Sequence, residues 1–564
     1  MGKIQGGQLV AEALIRKGIK HVFSLSGGHI TPIYQHLEDS PVRIVDTRHE
    51  QAAVFMAEAW GRMTREPGIA MVTAGPGFTN ALSAVANASF SNAPLVLISG
   101  CVGIESIEKL DLQDMRQAPV IEPMVKKAFV CHKPERIPEF LDLAWRTAIS
   151  GRPGPVYLEY PVDVLNAFTD TDLVKVPETA APARPVDFDN APKVVEMIRK
   201  AKQPLVIAGS GAWYSDAAKD LVEFVEKTGM PAFTSTMGRG TIPDTHPLCF
   251  ESSLAIRPGA AMFANMSADL ILFLGTRIGL YYIFGDLFRK DAKLVQVDIE
   301  PEEIGRNRSI DLPVFSDVAG FLRALNRIID EEGISERLQQ GFRGWVASLK
   351  KAQEDGRSQA RPNWDSDNVP IHPLRLVREV NDFLDRQDDI VVADGGDTSI
   401  WTGMTRTVRS PGHYLDSGLF GCLGVGLPYG NTAKLLHPDK RVCVMIGDGS
   451  IGFNFMEFEN AIRKGLPIVV VVSNDLGWGM IRHSQELRLG HAIEAGTWIG
   501  KVNYHKLVEA LGGKGLYVER PEEIRPALRE AFASGKTTCV NVMTDPTTVS
   551  PGSVALANLG SYKA

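Results

Sequence analysis

The chain runs to 564 residues, 44% hydrophobic and 23% charged, with a formal net charge of −7. That is beyond the ~250–300 residues at which a single hydrophobic core stops growing, so several domains are expected. The acidic balance argues against nucleic acid or an anionic membrane as the main partner, while leaving room for small anionic ligands held by local positive charge.

In chain order, short apolar runs alternate with helical patterns. The first block has strands at 42–45, 69–73 and 95–99, with helices at 50–63 and 79–89. The second has strands at 204–208, 270–274 and 294–297, and the third at 390–392, 442–446 and 468–472, with a helix at 455–463. Strands that are apolar throughout and separated by helices point to parallel sheets covered on both faces. The predicted fold class is α/β, three consecutive doubly wound parallel-sheet domains. Two polar, proline-containing stretches, 168–192 and 351–370, read as linkers. The expected bounds are therefore 1–170, 190–345 and 370–545. The tail 546–564 is small and polar, and reads either as a lid over an active site or as a frayed end.

The six cysteines form no Cys-x-x-Cys pair and no zinc-spaced cluster with histidine, which suits a reducing compartment. The first residues lack the apolar core of a signal peptide, and the longest apolar runs fall far short of the ~20 residues that span a bilayer. A soluble, cytoplasmic protein without a membrane partner is expected.

The chemistry-bearing signal begins where the 442–446 strand runs into Gly447-Asp448-Gly449-Ser450 and a helix pattern. The next strand ends at Ser473-Asn474-Asp475. Carboxylates at adjacent strand ends can meet in space, at the edge of an open α/β sheet where ligands bind. Oxygen ligands of this kind suit Mg²⁺, completed by phosphate oxygens of a ligand. Gly449 and Ser450 lead into a helix N-terminus, whose free N–H groups favour phosphate.

This arrangement resembles the signature of thiamine diphosphate (ThDP) enzymes: Gly-Asp-Gly, some two dozen residues (450–473 here), then Asn-Asn or Asn-Asp. The resemblance implies Mg²⁺ held by Asp448, Asp475 and the Gly477 carbonyl, with Asp475 standing where the family has a second Asn. Arg48-His49-Glu50-Gln51 resembles the segment whose glutamate contacts N1′ of the aminopyrimidine, so Glu50 is implied as the residue that activates the cofactor to its ylid. Thr73-Ala-Gly-Pro76-Gly-Phe-Thr-Asn80 resembles the turn packed against the pyrimidine. Gly396-Asp397-Thr398 resembles a diphosphate-binding strand end, and Gly418-Leu-Phe-Gly421-Cys-Leu423 the loop that bends the cofactor. Trp478 and Met480 are implied near the thiazolium. The family's three domains, pyrimidine, middle and diphosphate, match the three blocks. Its assembly implies a homodimer or homotetramer with active sites at the subunit interface.

The resemblance spans nearly the whole chain and is to the branch of acetolactate synthase and oxalyl-CoA decarboxylase, nearest to benzaldehyde lyase and 2-hydroxyacyl-CoA lyase. Ser26-Gly-Gly-His29 and Gln113 match the places where benzaldehyde lyase handles substrate-hydroxyl protons, so those roles carry over to His29 and Gln113. Val162, Ser399 and Ser417 depart from its more aromatic pocket. Glu494, or His483, is a further candidate for relaying a proton after bond cleavage. The expected activity is C–C cleavage or ligation of a small-molecule substrate, a 2-hydroxyacyl-CoA or acyloin. An acetolactate-synthase-like carboligase of 2-oxo acids is the alternative, and a non-catalytic ThDP-binding protein a more distant one. In some relatives the middle domain holds FAD or an adenine nucleotide and in others it binds nothing; Gly209-Ser-Gly211, Gly275-Thr-Arg277, Asp298, Glu300, Arg306 and Arg308 leave an empty domain as one expectation and, for a filled one, CoA or ADP ahead of FAD.

Overall fold

A computed structural model describes residues 2–177, 183–253 and 259–558. Contacts divide the chain into two compact units. One comprises Met1–Pro182, Ser417–Asp439 and Ile451–Ile468, the other Ala183–Asp416, Lys440–Ser450 and Val469–Ala564.

The first unit is built on a six-stranded sheet in the spatial order Arg43–Asp46, His21–Ser24, Gly68–Val72, Leu95–Cys101, Pro155–Pro161, Ala128–Val130, all parallel. Gly68–Val72 and Leu95–Cys101 are buried along their whole length, as strands covered on both faces must be. The Glu50–Thr64 and Pro76–Phe90 helices lie beside one another in this unit, and the Gly426–Leu436 helix packs on the former. That helix pairing surrounds a buried polar cluster in which Arg62 faces Glu58 at 3.6 Å, and Asn87 donates to both Glu58 oxygens.

The second unit holds two further sheets, each of six parallel strands. The middle one runs Cys249–Ser252, Ala232–Thr234, Pro204–Ala208, Leu270–Leu274, Lys293–Asp298, Leu312–Phe315. The C-terminal one runs Tyr414–Leu415, Ile390–Asp394, Val442–Gly447, Val469–Asn474, Thr538–Met543, Lys514–Val518. Three parallel-sheet domains are thus present. The first and third share the order 2-1-3-4-6-5, whereas the middle sheet has the dinucleotide-fold order 3-2-1-4-5-6.

Each predicted strand is found within one or two residues of its expected bounds. The predicted linker 351–370 is different: a 30-residue helix, Ser335–Trp364, runs through most of it. Its apolar anchors, Leu338, Phe342, Trp345 and Leu349, end before residue 351, so the remaining turns carry no apolar stripe. Of the predicted linker 168–192, residues 178–182 lie outside the described residues, as do 559–564 of the tail. Among the described residues no helix is long and apolar enough to cross a membrane.

Candidate active site

In a 2-1-3-4 sheet, ligands gather at the carboxyl ends of the strands, near the switch point between strands 1 and 3. In the first unit, those ends carry Gly27–His29, the approach to Glu50, and Thr73–Pro76. Glu50 is the first residue of its helix, which His49 caps by accepting the Gln51 N–H at Nδ1. Glu50 is buried, and Asn80 Nδ2 donates to its Oε2 over 3.0 Å. Thr73 is buried beside it, where the side chain would be the first thing met by a Cβ on Gly77, at 2.7 Å, with Glu50 Oε1 next at 3.4 Å. Pro76 is exposed at the start of its helix.

His29 is half-buried, with Nδ1 at 3.3 Å from Thr73 Oγ1 and Gln113 in hydrogen-bonding contact. Burial lowers its pKa, opposed in part by Asp111 and Gln113. Gly100 permits this approach, since a Cβ there would stand 2.6 Å from that of His29. Gln113 holds a left-handed backbone, φ +65°, unusual for a non-glycine residue and a mark of local strain. Sequence reasoning overlooked Gln117, whose buried amide accepts the Gly75 N–H over 2.8 Å and donates to Tyr157 and Glu159. No local pattern announces it. Val162 is half-buried. Gly421 lies at φ +73° after an exposed Leu419-Phe420 pair, and Leu423 is half-buried.

In the second unit, Asp448 directly follows strand 3 and Asp475 strand 4 of the C-terminal sheet. The two carboxyls interact directly, and burial together with this mutual repulsion raises the Asp448 pKa well above the carboxylate range; burial raises that of Asp475 as well. Asp448 Oδ2 is buried and has no hydrogen-bond partner among the described residues. A buried carboxyl with an orphaned oxygen, facing a half-buried one, calls for a proton or a cation. The pair offers carboxyl oxygens, the donor type Mg²⁺ takes, and among the described residues no group of three His, Cys, Asp or Glu side chains is gathered for a metal. The residues fit that ion. The backbone here is pinned: Tyr504 donates to the Asp448 carbonyl over 2.8 Å, and Asn474 spends its side chain on Asn541, Val502 and Leu476 N–H. Leu476, at φ +66°, then turns the chain into Gly477, where a Cβ would strike the Thr497 carbonyl at 2.3 Å.

The diphosphate candidates surround this pair. A Cβ on Gly449 would meet the Trp478 ring at 2.7 Å, and one on Gly396 would meet Met480 at 2.8 Å. The Ser450 hydroxyl donates to Asp394. Thr398 is buried at the start of its helix. Both Asp397 carboxylate oxygens are engaged: Oδ1 accepts from Ser550 and Ser553, each at 2.6 Å, and Oδ2 from His483 Nδ1 at 2.9 Å. His483 Nε2 donates to the Pro546 carbonyl over 3.0 Å, so both ring nitrogens face acceptors. Burial acts to lower the His483 pKa, but these contacts raise it. The stretch Pro546–Ser553 is therefore docked on this domain. Ser399 keeps a buried hydroxyl without a hydrogen-bond partner among the described residues, and Ser417 is buried. Glu494 opens a four-residue helix and is exposed, with Ile493 also exposed.

The chain matches three family models: the N-terminal TPP binding domain of thiamine pyrophosphate enzymes over residues 4–120, their central domain over 191–325 and their C-terminal TPP binding domain over 394–542. It is 33% identical over 550 residues to a probable acetolactate synthase of Mycobacterium bovis, covering 97% of each chain. The chain belongs to the thiamine pyrophosphate enzymes. Among these enzymes it is also 31% identical to 2-hydroxyacyl-CoA lyase of Arabidopsis thaliana, covering 96% of each chain. It is 31% identical to oxalyl-CoA decarboxylase of Escherichia coli K12, over 96% of this chain and 95% of that one.

In this thiamine pyrophosphate enzyme, the middle domain's basic candidates are engaged. Arg308 donates to the Gly285, Phe288 and Arg289 carbonyls, and Arg306 pairs with Glu303 at 2.8 Å. Gly211 and Gly275 stand backbone to backbone, each filling the space of the other's Cβ.

Proposed function

We propose that this protein is a ThDP- and Mg²⁺-dependent lyase and carboligase that cleaves or forms 2-hydroxyacyl-CoA or acyloin compounds. The observation that carries the reading is His29, held between Thr73 and Gln113 in the unit that also buries Glu50. Bound ThDP supplies a carbon nucleophile and an electron sink. Asp448 and Asp475, with the Gly477 carbonyl, hold Mg²⁺, and the strand ends at 396–398 and 449–450 receive the diphosphate. Glu50 holds the proton shared with the aminopyrimidine, fixed in place by Asn80. His29, whose lowered pKa keeps it neutral at physiological pH, accepts the substrate hydroxyl proton while Gln113 orients the imidazole. Trp478 and Met480 exclude water from the reacting centre. Glu494 lies exposed, and buried His483, already bridging Asp397 and Pro546, fits a structural role better than proton relay.

The likeness to acetolactate synthase favours a second reading, decarboxylating carboligation of 2-oxo acids. Three assays separate the two: aldehyde release from 2-hydroxyacyl-CoA esters, cleavage of acyloins, and CO₂ release from pyruvate. Cleavage in either of the first two supports the lyase; turnover of pyruvate alone supports the second reading and removes the role given to His29. CoA or ADP at the middle domain, ahead of FAD, stays part of the proposal, with Arg306 half-exposed in its pair with Glu303. A cytoplasmic homodimer or homotetramer, with domain bounds near 170, 190–345 and 370–545, completes the proposal, and sedimentation of the purified protein tests the assembly.

A further inference from the structure

Glu50 serves the chemistry only if its carboxyl is held still, and among the described residues it accepts one side-chain hydrogen bond, from Asn80 on the neighbouring helix. The backbone on either side is held from elsewhere. Glu457 is 1% exposed; its Oε1 accepts the Arg48 N–H over 2.8 Å and its Oε2 the Asn460 amide over 2.7 Å. Asn454 is 5% exposed; its Nδ2 donates to Gln51 Oε1 at 3.3 Å and to the Gly424 carbonyl at 2.8 Å. The residues two before and one after Glu50 are thus gripped by one turn of chain about 400 residues away. The same amide grips the carbonyl that follows Leu423.

Ion pairs cover the neighbouring surface, from Arg463 and Lys464 to Asp46 and from Glu459 to Arg48, but they involve partly exposed side chains and are weakened by solvent and salt. The Glu457 carboxyl is itself buried, so its bond to the Arg48 N–H is less open to that weakening. Asn454 is not arranged for stability alone: its Oδ1 is buried with no hydrogen-bond partner among the described residues, while its donors are spent on the two candidate segments. The close fit at Gly424 points the same way. It lies at φ +82°, and a Cβ there would stand 3.0 Å from Asn454 Nδ2 and 2.5 Å from Phe453 Cβ.

We propose that Asn454 and Glu457 are positioning residues that fix the Glu50 carboxyl, and with it the loop ending at Gly424, for work on the cofactor. The proposal rests on the ThDP reading above. A displacement of about 1 Å in a positioned group costs as much as ~100-fold in rate, so loss of either grip is measurable without unfolding.

The test uses the full chain loaded with ThDP and Mg²⁺. Exchange of the thiazolium C2 proton with deuterium is followed by quenched NMR, alongside ThDP affinity by calorimetry and the thermal midpoint. Asn454→Ala and Glu457→Ala slow exchange by roughly tenfold or more while ThDP affinity stays within about threefold. Glu457→Gln keeps an acceptor for the Arg48 N–H. Asn460 has a buried Oδ1 without a hydrogen-bond partner among the described residues, which an amide flip turns toward the new donor, so exchange returns to within about threefold of the parent. Glu50→Gln is the reference, and it slows exchange at least as far. Exchange unchanged in both alanine variants while Glu50→Gln is slow overturns the positioning role and leaves the ThDP reading intact. Slowing that merely tracks lost affinity and a lowered midpoint overturns it too. Exchange that Glu50→Gln does not alter sinks the reading of Glu50 itself. If Glu457→Ala does not fold, Asn454→Ala and Glu457→Gln decide the matter by the same criteria.

Discussion

Asn80 Nδ2 donates to Glu50 Oε2 over 3.0 Å, an exposed amide holding a buried carboxyl. Deleting the amide leaves the fold untouched but frees the acid. Asn80→Ala should therefore lower kcat by roughly 10-fold, the worth of about 1.4 kcal/mol for one hydrogen bond, with no change in thermal midpoint. Glu50→Gln should cost on the order of 10²–10⁴-fold. Steady-state kinetics on both variants checks the ratio.

The facing pair Asp448 and Asp475 sets a pH dependence for the metal-free protein. Both pKa values are raised on folding, so the folded chain holds protons that the unfolded chain has released. Stability must then fall as pH rises from the ordinary carboxylate range toward the raised values. Mg²⁺ with ThDP at about 100 times their Kd should restore roughly 2.7 kcal/mol. Asp448→Asn removes the repulsion: the metal-free variant should melt higher than the parent at about pH 8 and gain nothing from Mg²⁺. Melting curves across pH, with and without the ion, test both halves.

Gly479 guards the same carboxylate. A Cβ there would fall 2.1 Å from Asp475 Oδ2, so Gly479→Ala must push that oxygen aside. Mg²⁺-dependent ThDP affinity should drop by at least ~10-fold, since a ligand displaced by an ångström no longer meets octahedral geometry. Isothermal calorimetry reads the loss directly.

His29 gives a kinetic signature. Its pKa lies below the usual imidazole value, so the acidic limb of kcat/KM should fall below about pH 6.5 and disappear in His29→Ala. Gln113→Ala removes a contact that favours the protonated ring, so it should move the limb to still lower pH. A pH–rate profile for the three proteins distinguishes these outcomes.

Much of this was legible in the sequence because it is local. Apolar runs gave the strands, and Gly-Asp-Gly spaced from Asn-Asp gave the two carboxyls that the fold brings together. What escaped is long-range. The switch from the 2-1-3-4-6-5 order to 3-2-1-4-5-6 in the middle sheet leaves no mark on strand composition. Ser335–Trp364 reads as a linker after residue 350 because its last turns carry no apolar stripe. Asp397 reads as a diphosphate neighbour, yet Ser550, Ser553 and His483 claim its oxygens from 86 or more residues away. The grips of Asn454 and Glu457 on Gln51 and Arg48 span some 400 residues, where no spacing rule reaches.

The most direct test of the central claim is aldehyde release from a 2-hydroxyacyl-CoA ester, measured on the purified protein with ThDP and Mg²⁺ beside its Glu50→Gln variant. Release that requires both cofactors and collapses in the variant is the predicted result. No release from the ester or from acyloins, with CO₂ evolved from pyruvate instead, would contradict the lyase account.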